Sequence, residues 1–569
     1  MGRVIEPRNR ISSWEPTPSG RAEGHDDVAS EAEKATSFPP GSESSARTHM
    51  PHAREPGDLG GASPLKLGST QPREGSSRNA RSEASEESDA LVVAKKSGNS
   101  RVTPEDSMER RCAADGEIRA RKRTPDSAPG SCADTIARIG ERARRQRDER
   151  LTNLLSHMTV PLLKEAYMRL RKNAATGIDD ETWSAFGEHL DERLRDLEGR
   201  VHRGSYHPQP VRRVYIPKAD GSRRPLGIPA VEDKVVQQAA RMLMEPIYER
   251  GAFLGFSYGF RPGRSPHQAL DALAVAIDRK RVSWVLDADI RACFDSIDHA
   301  WMQKFVEHRI GDRRFVRLLM KWLHAGVLED DTLREVTEGT PQGGIISPLL
   351  ANVFLHYALD LWVQQWRKRH ARGEVYIVRY ADDFVMGFQY ETDARAMREA
   401  LAARLTSFGL ELHPDKTRVI RFGRFAQSEC AKDGRKPETF DFLGFTHICG
   451  RSRAGSFQLR RRTSRKKRNA KLAALSDEVR RRRHEPVVDQ HRWLSAVIRG
   501  HVQYYGVPTN FEALHLFCYR LKHAWHRSLQ RRSQRASWTA EKTRRFEKVF
   551  ALPAPRICHP WPSLRHARP

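Results

Sequence analysis

Residues 375–388 read VYIVRYADDFVMGF. Aromatic and β-branched residues flank Ala381, Asp382 and Asp383 in runs of strand length, so the stretch predicts a β-hairpin with two adjacent carboxylates at its tip. Two such groups in otherwise apolar strands repel each other, and folding favours protonating one unless a divalent cation neutralises both. Hard oxygen ligands suit Mg²⁺. The competing reading is plain turn chemistry, because Asp tolerates tight-turn backbone and is solvated there.

The surrounding sequence weighs against the plain turn. Residues 284–290, WVLDADI, read as a second strand that delivers Asp289 near its end, with Asp287 on the same face by period-two alternation. Acidic residues around two Mg²⁺ ions about 4 Å apart activate a primer 3′-hydroxyl and stabilise departing pyrophosphate, which is nucleotidyl transfer. From 211 to 446 strands and helices are interspersed as in an α+β domain rather than a doubly wound sheet. Asp220-Gly221 supports a turn that folds Lys218 and Arg224 onto one side, although isolated cations are more often simply solvated.

The chain has 569 residues and a net charge of +27. Residues 451–569 hold 29 Lys+Arg against 7 Asp+Glu, a net +22, which leaves +5 for the other 450. That asymmetry predicts a nucleic-acid surface in the last fifth. The seven cysteines (112, 132, 293, 430, 449, 518 and 558) form no Cys-x-x-Cys pair, so neither a zinc site nor a disulfide framework is expected. Cys293 reads as core filler rather than a nucleophile. The absence of a long apolar run or an apolar leader predicts no membrane contact and a cytoplasmic protein, with nucleoid association consistent with DNA work. Residues 1–135 are rich in Ser, Gly, Pro, Glu and Arg without apolar periodicity and are expected to be disordered. The stretch 141–172 is expected to be helical, with Leu151, Leu154, Leu155 and Met158 on one face, then Thr159 as an N-cap with Pro161 in the first turn of a second helix through Tyr167 to Leu170.

The tetrad Tyr380-Ala381-Asp382-Asp383 resembles the central motif of reverse transcriptases, and its neighbours resemble, in order, those of bacterial group II intron-encoded reverse transcriptase/maturases. The blocks are RVYIPK (213–218), RPLGIP (224–229), GFSYGFRPG (255–263), DIRACFD (289–295), GTPQGG (339–344), LHPDKT (412–417) and FDFLGF (440–445). Ordered blocks are far harder to meet by chance than one tetrad. The resemblance runs from about 150 to 562. It implies that Asp289, Asp382 and Asp383 are the catalytic and metal-binding triad, with the Ile290 carbonyl as a further ligand and Asp287 as a decoy. It also implies nucleotide contacts from Arg212, Lys218, Arg224, Phe294, Gln342 and Lys416. Phe294 would exclude a 2′-hydroxyl, Gln342 would meet the sugar, and Lys416 would protonate pyrophosphate. Phe442, Leu443 and Gly444 would form the primer grip. Bland alternatives stand beside these: a core aromatic at 294, a plain turn at 342, phosphate binding or capping at 416, and core packing at 442–444.

The basic run opening at Arg460 resembles the family's thumb, and IRGHVQYYG (498–506) with the RICHPW block (556–561) resembles its maturase region. Arg465, Lys466, Lys467, Arg468, Arg499, Tyr504 and Tyr505 are then candidate RNA contacts. Phe511, Phe517 and Trp525 read as helix core rather than base-stacking rings. The expected architecture is α+β, a right-hand polymerase: disordered 1–135, fingers and palm 136–450, thumb 451–490, and a mainly helical maturase domain and tail 491–569, without the endonuclease domain of some relatives. The expected function is copying intron RNA into DNA with two Mg²⁺ ions and deoxynucleoside triphosphates, while binding that RNA to assist splicing and mobility at a DNA target and primer. The alternatives are a splicing-only maturase with an idle polymerase site, or a retron-type reverse transcriptase.

Overall fold

The computed structural model describes residues 131–217, 223–329, 332–334, 339, 343–533 and 538–562. The expected disordered segment lies outside the described residues up to 130, as do Lys218 and Gln342. Order begins earlier than expected. Ser131 caps helix α1 (Cys132–Arg145) by accepting from the Asp134 amide at 3.2 Å.

The second helix expected after Thr159 is present, but the stretch before it is not one unbroken helix. After α1, Leu151 forms a parallel bridge with Ile310, and residues 155–157 make a short 3₁₀ turn before α2 (Val160–Met168). Asp312 explains part of the break by accepting from the Leu155 amide at 2.9 Å. Leu151, Leu154, Leu155 and Met158 are all buried in one core, so their spacing reports burial and not a single helix. Pro161 lies in the first turn of α2, and Thr159 holds the N-cap position without a side-chain cap bond.

Helices α3 (Trp183–Gly187) and α4 (Leu190–Arg203) lead into β1 (Val211–Pro217) and β2 (Arg223–Ile228), which pair antiparallel with Ile216 opposite Arg224. The arms of the expected hairpin are therefore present, while its apex lies outside the described residues. Helix α5 (Val231–Gly251) runs through the first core, and α6 (Pro266–Arg279) opens with a reciprocal capping box from Ser265 and Gln268. After β3 (Trp284–Arg291) come α7 (His299–Glu307), α8 (Arg313–Leu323), β4 (Val327–Glu329) and β5 (Thr332–Arg334). The last two complete a four-stranded sheet in the order β2-β1-β4-β5.

Helix α9 (Ser347–Leu355) widens into one π-helical turn, His356–Asp360, and continues as α10 (Leu361–Arg369). Strands β6 (Val375–Tyr380) and β7 (Asp383–Phe388) follow, then α11 (Glu391–Thr406), β8 (Glu411–Leu412) and β9 (Arg418–Arg421). With β3 they form a five-stranded sheet, β6-β7-β3-β8, in which β9 also pairs with β3. Alternation along its strands sends Leu286, Ala288, Ile377, Phe384 and Met386 into the first core and Val285, Tyr376, Val378 and Val385 into a second. Fully burying each such side chain contributes about 1.5–3 kcal/mol, so both faces of the sheet are fixed.

The second core also takes residues from α6 and, after α12 (Ala426–Lys432), from β10 (Phe440–Phe442), β11 (Phe445–Arg451) and β12 (Phe457–Thr463), which form a three-stranded sheet. The basic run that opens at Arg460 begins on a strand. Arg460, Arg461 and Arg462 lie on β12, and Arg461 is buried in an ion pair with Asp271 of α6 at 3.0 Å. Helices α13 (Arg465–Arg481), α14 (Val487–Tyr505), α15 (Phe511–Gln530) and α16 (Ala540–Val549) then gather around a third core.

Candidate active site

The hairpin is tight because β6 and β7 pair from Val375↔Phe388 to Tyr380↔Asp383, leaving Ala381 and Asp382 as the connection. Ala381 has φ +60, a left-handed conformation that costs a non-glycine residue free energy and must be held by its surroundings. Arg379 supplies the hold. Its guanidinium, fully buried, donates to the Ala381 carbonyl at 2.8 Å, to Asn352 Oδ1 at 3.0 Å and to both oxygens of Asp360 at 2.7 and 2.6 Å. Asn352 donates in turn to the Gly259 carbonyl at 2.8 Å. A Cβ at Gly259 would stand 2.2 Å from the Ala381 nitrogen, so only glycine lets the 255–263 loop lie against the hairpin turn.

Across the sheet, Asp289 of β3 sits directly opposite Asp383 of β7, and Asp287 opposite Val385. Period-two alternation puts Asp287, Asp289 and Asp383 on the face shared with Val285 and Val385. Residues about ninety positions apart thus become neighbours. Burial, then the charges of Asp382, Asp287 and Asp289, push the Asp383 carboxyl up to about 7. Burial also raises Asp382, with Asp289 adding to it, and pushes Asp287 up to about 6. Cations act in the opposite direction: Arg224 on Asp382, Lys467 on Asp383, and Arg418 on Asp287 at 3.6 Å.

Lys416 donates to Asp289 Oδ2 at 2.7 Å, and the Asp289 carbonyl accepts from the His413 amide at 2.8 Å. Among the described residues no three His, Cys, Asp or Glu side chains already close into a metal cage. The donor set nonetheless fits a hard dication. Carboxylates that raise one another's protonation in a partly buried site are relieved by a divalent charge, and oxygen donors are what Mg²⁺ takes.

The remaining candidates divide. Phe294 is half-buried against the first core and, with Phe260, Ala381 and Asp382, lines a narrow cleft. Cys293 beside it is buried, its thiol pushed up by that burial, as expected of core filler. Ile290 is buried in the ladder between β3 and β8, opposite Leu412. Arg224 is exposed at the hairpin arm. Arg212 turns away to Asp180 and Thr176. At the other side, Phe442 is buried while Leu443 and Gly444, with φ +48 and +84, make the turn between β10 and β11. Tyr504 donates its hydroxyl to the Leu443 carbonyl at 2.9 Å, and Tyr505 crowds Gly444, where a Cβ would meet its hydroxyl at 2.9 Å. Both rings, expected on an RNA face, are committed in part to packing against the second core. Arg465, Lys466, Lys467 and Arg499 are exposed, and Arg468 is half-buried.

Arg379, Asn352, Asp360 and Gly259 escaped the sequence reading. One signal was present: an arginine inside the apolar run VYIVRY must find partners if the strand is buried.

Residues 216–447 match the model of the family described as reverse transcriptase (RNA-dependent DNA polymerase). The chain is 35% identical over 345 residues to Protein YkfC of Escherichia coli K12, covering 54% of this chain and 86% of that one. It is 40% identical over 242 residues to the group II intron-encoded protein LtrA of Lactococcus lactis subsp. cremoris, covering 42% of this chain and 39% of that protein. It is 30% identical over 227 residues to the retron Mx162 reverse transcriptase of Myxococcus xanthus, covering 37% of this chain and 44% of that one.

Proposed function

Because the chain belongs to the family of group II intron-encoded reverse transcriptases and maturases, we propose that it copies intron RNA into DNA and binds that RNA to assist splicing and mobility. The observation that carries this reading is the register that sets Asp289 against Asp383, with Asp382 at the adjoining turn. Binding RNA alone requires no such concentration of partly buried carboxylates.

In this reading 136–450 provide fingers and palm, 451–490 the thumb and 491–569 the maturase region. Asp289, Asp382, Asp383 and the Ile290 carbonyl would hold two Mg²⁺ ions, which when bound supply Lewis-acid stabilisation of the attacking and leaving oxygens. The protein's own groups do the rest. Lys416 keeps a proton within reach of the site through its contact with Asp289 and delivers it to pyrophosphate. Arg224, with Lys218, meets triphosphate charge, whereas Arg212 is engaged by Asp180 and Thr176 and would have to leave them to join it. Phe294 and Gln342 select the deoxyribose of an incoming deoxynucleoside triphosphate. The 442–444 turn seats the primer end, supplied at the DNA target, with Tyr504 behind it.

Primer extension on an RNA template tests the proposal. Wild type is expected to extend the primer only with divalent metal, and Asp382→Ala to lose activity by at least about 10²-fold, the scale of removing one main electrostatic group from a transition state. Equal splicing assistance by both proteins, with synthesis by neither, would establish the splicing-only alternative. A preference for ribonucleotides would remove the role given to Phe294.

A further inference from the structure

Helix α15 has two kinds of face. Leu514, Phe517, Cys518, Leu521, Trp525 and Leu529 form the stripe that enters the third core. Off that stripe, Phe511, His515, Tyr519 and His523 recur every fourth residue, and their rings are successive neighbours with centroids 6.4, 6.5 and 4.2 Å apart. Phe511 is 49% and Tyr519 53% exposed, and both histidines are exposed. The expectation of Phe511 as core is thus overturned, whereas Phe517 and Trp525 are buried as expected. Folding does not account for such a ladder, because rings that stack mainly on one another in water recover little of the burial that draws aromatics inside.

The charge around it is one-sided. Glu512 is the single acidic residue between 511 and 530, and Arg462 donates to it at 2.7 Å. Arg520 and Arg527 are exposed on the same helix. Arg520 also faces α13: burial, then the charges of Arg520 and Arg465, hold the Arg468 guanidinium below its ordinary value, and Arg468 Nε has no hydrogen-bond acceptor. Lys522 of this helix is matched by Glu547 at 2.7 Å, whereas Arg520 and Arg527 point their charge to solvent, where a polyanionic ligand would complement it.

We propose that Phe511, His515, Tyr519 and His523, with Arg520 beside them, form a docking surface for a single-stranded segment of RNA. Its unpaired bases stack on the rings while its phosphates meet the arginine. This rests on the reading of the chain as RNA-binding and adds the kind of strand and the mode of contact. A duplex hides its base faces within the stack. A folded protein offers no row of flat faces to match ring neighbours spaced 4.2 to 6.5 Å apart.

The test measures binding of the full chain to an oligouridylate, to an abasic strand of the same length and to a blunt RNA duplex, across a salt series. Wild type is expected to favour the oligouridylate over the other two. Phe511→Ala with Tyr519→Ala should weaken oligouridylate binding by about tenfold per ring, leave abasic binding and the salt slope unchanged, and leave thermal unfolding unchanged because both rings are exposed. Arg520→Ala should instead reduce the salt slope by about 0.7. Equal oligouridylate affinity for wild type and the double variant overturns the ladder. Failure of wild type to bind any of the three RNAs overturns the RNA-binding reading itself, and the ladder with it.

Discussion

Arg379 is a charge placed at zero exposure, three residues before the Asp382-Asp383 pair, and its partners show what it does there. Removing one member of a buried ion pair costs about 3–5 kcal/mol, whereas replacing both by apolar groups of similar volume is often neutral. Arg379→Met alone should therefore lower stability by about that amount, and adding Asp360→Leu should restore most of it. Primer extension should stay low in both variants, because neither returns a donor to the Ala381 carbonyl that fixes the left-handed turn. Recovery of synthesis together with stability in denaturant titrations would reduce Arg379 to a packing residue. A second buried acid gives a pH signature. Asp233 accepts from the Tyr206 hydroxyl and from the Gln209 amide at 3.0 Å, yet burial pushes it up to about 7. The folded state then holds a proton that the unfolded chain releases above about pH 4, so this group's stabilisation is present at low pH and lost as pH rises towards 7 and beyond. Stability followed from pH 5 to 8 should fall less steeply in Asp233→Asn, by up to about 1.4 kcal/mol per pH unit. Identical slopes for the two proteins would exclude the assignment.

The strands that carry the acids were legible in the sequence because alternation and turn chemistry are local. VYIVRYADDFVMGF fixes its own hairpin, and WVLDADI its own strand. Placing Asp289 opposite Asp383 needed a register that no local pattern specifies. Arg461 shows the same limit from the other side: within a basic run it looks solvated, and only the fold brings Asp271, 190 residues earlier, to its guanidinium. Phe511 and Phe517 show a limit of periodicity: 511 stands at stripe spacing from 514 and 518, yet it is the first residue of its helix and half exposed, so the pattern alone does not separate it from the buried 517. The turn between β10 and β11 is an element built from two distant segments. Tyr504→Phe removes the hydroxyl that donates to the Leu443 carbonyl, a loss of about 1 kcal/mol, and leaves the ring in place. If that turn seats the primer, the variant should raise the KM for primer several-fold with little change in KM for deoxynucleotide. An equal change in both constants would point to a general loosening of the site.

The division expected at residue 450 does not match how the molecule holds together. Strand β11 ends at Arg451, pairs along its whole length with β12, and shares the second core with the sheet that carries the acids. Further on, Tyr504 reaches back to the 443 turn, His267 Nε2 donates to the Tyr504 carbonyl at 2.8 Å, and His559 stacks on His267 with centroids 3.9 Å apart. The His559 ring and amide also bond to Gln503 and Gly506, so residues near 559 tie the end of α14 to α6. The helices from α13 onward share one core, so the regions expected as thumb and maturase form a single packed body. A chain cut after residue 450 loses β12, the cover over Phe445 and Cys449, and Arg461 from the buried pair with Asp271. An open apolar sheet edge invites aggregation, so that fragment should be found in the insoluble fraction, or melt well below the full chain, instead of behaving as an independent polymerase. Cutting after residue 464 keeps the three-stranded sheet and should recover solubility, yet it removes Lys467 from beside Asp383 and Tyr504 from behind the 443 turn. Weak synthesis by a soluble 464-residue fragment would place the helical body within the polymerase itself, and full synthesis by it would separate the two.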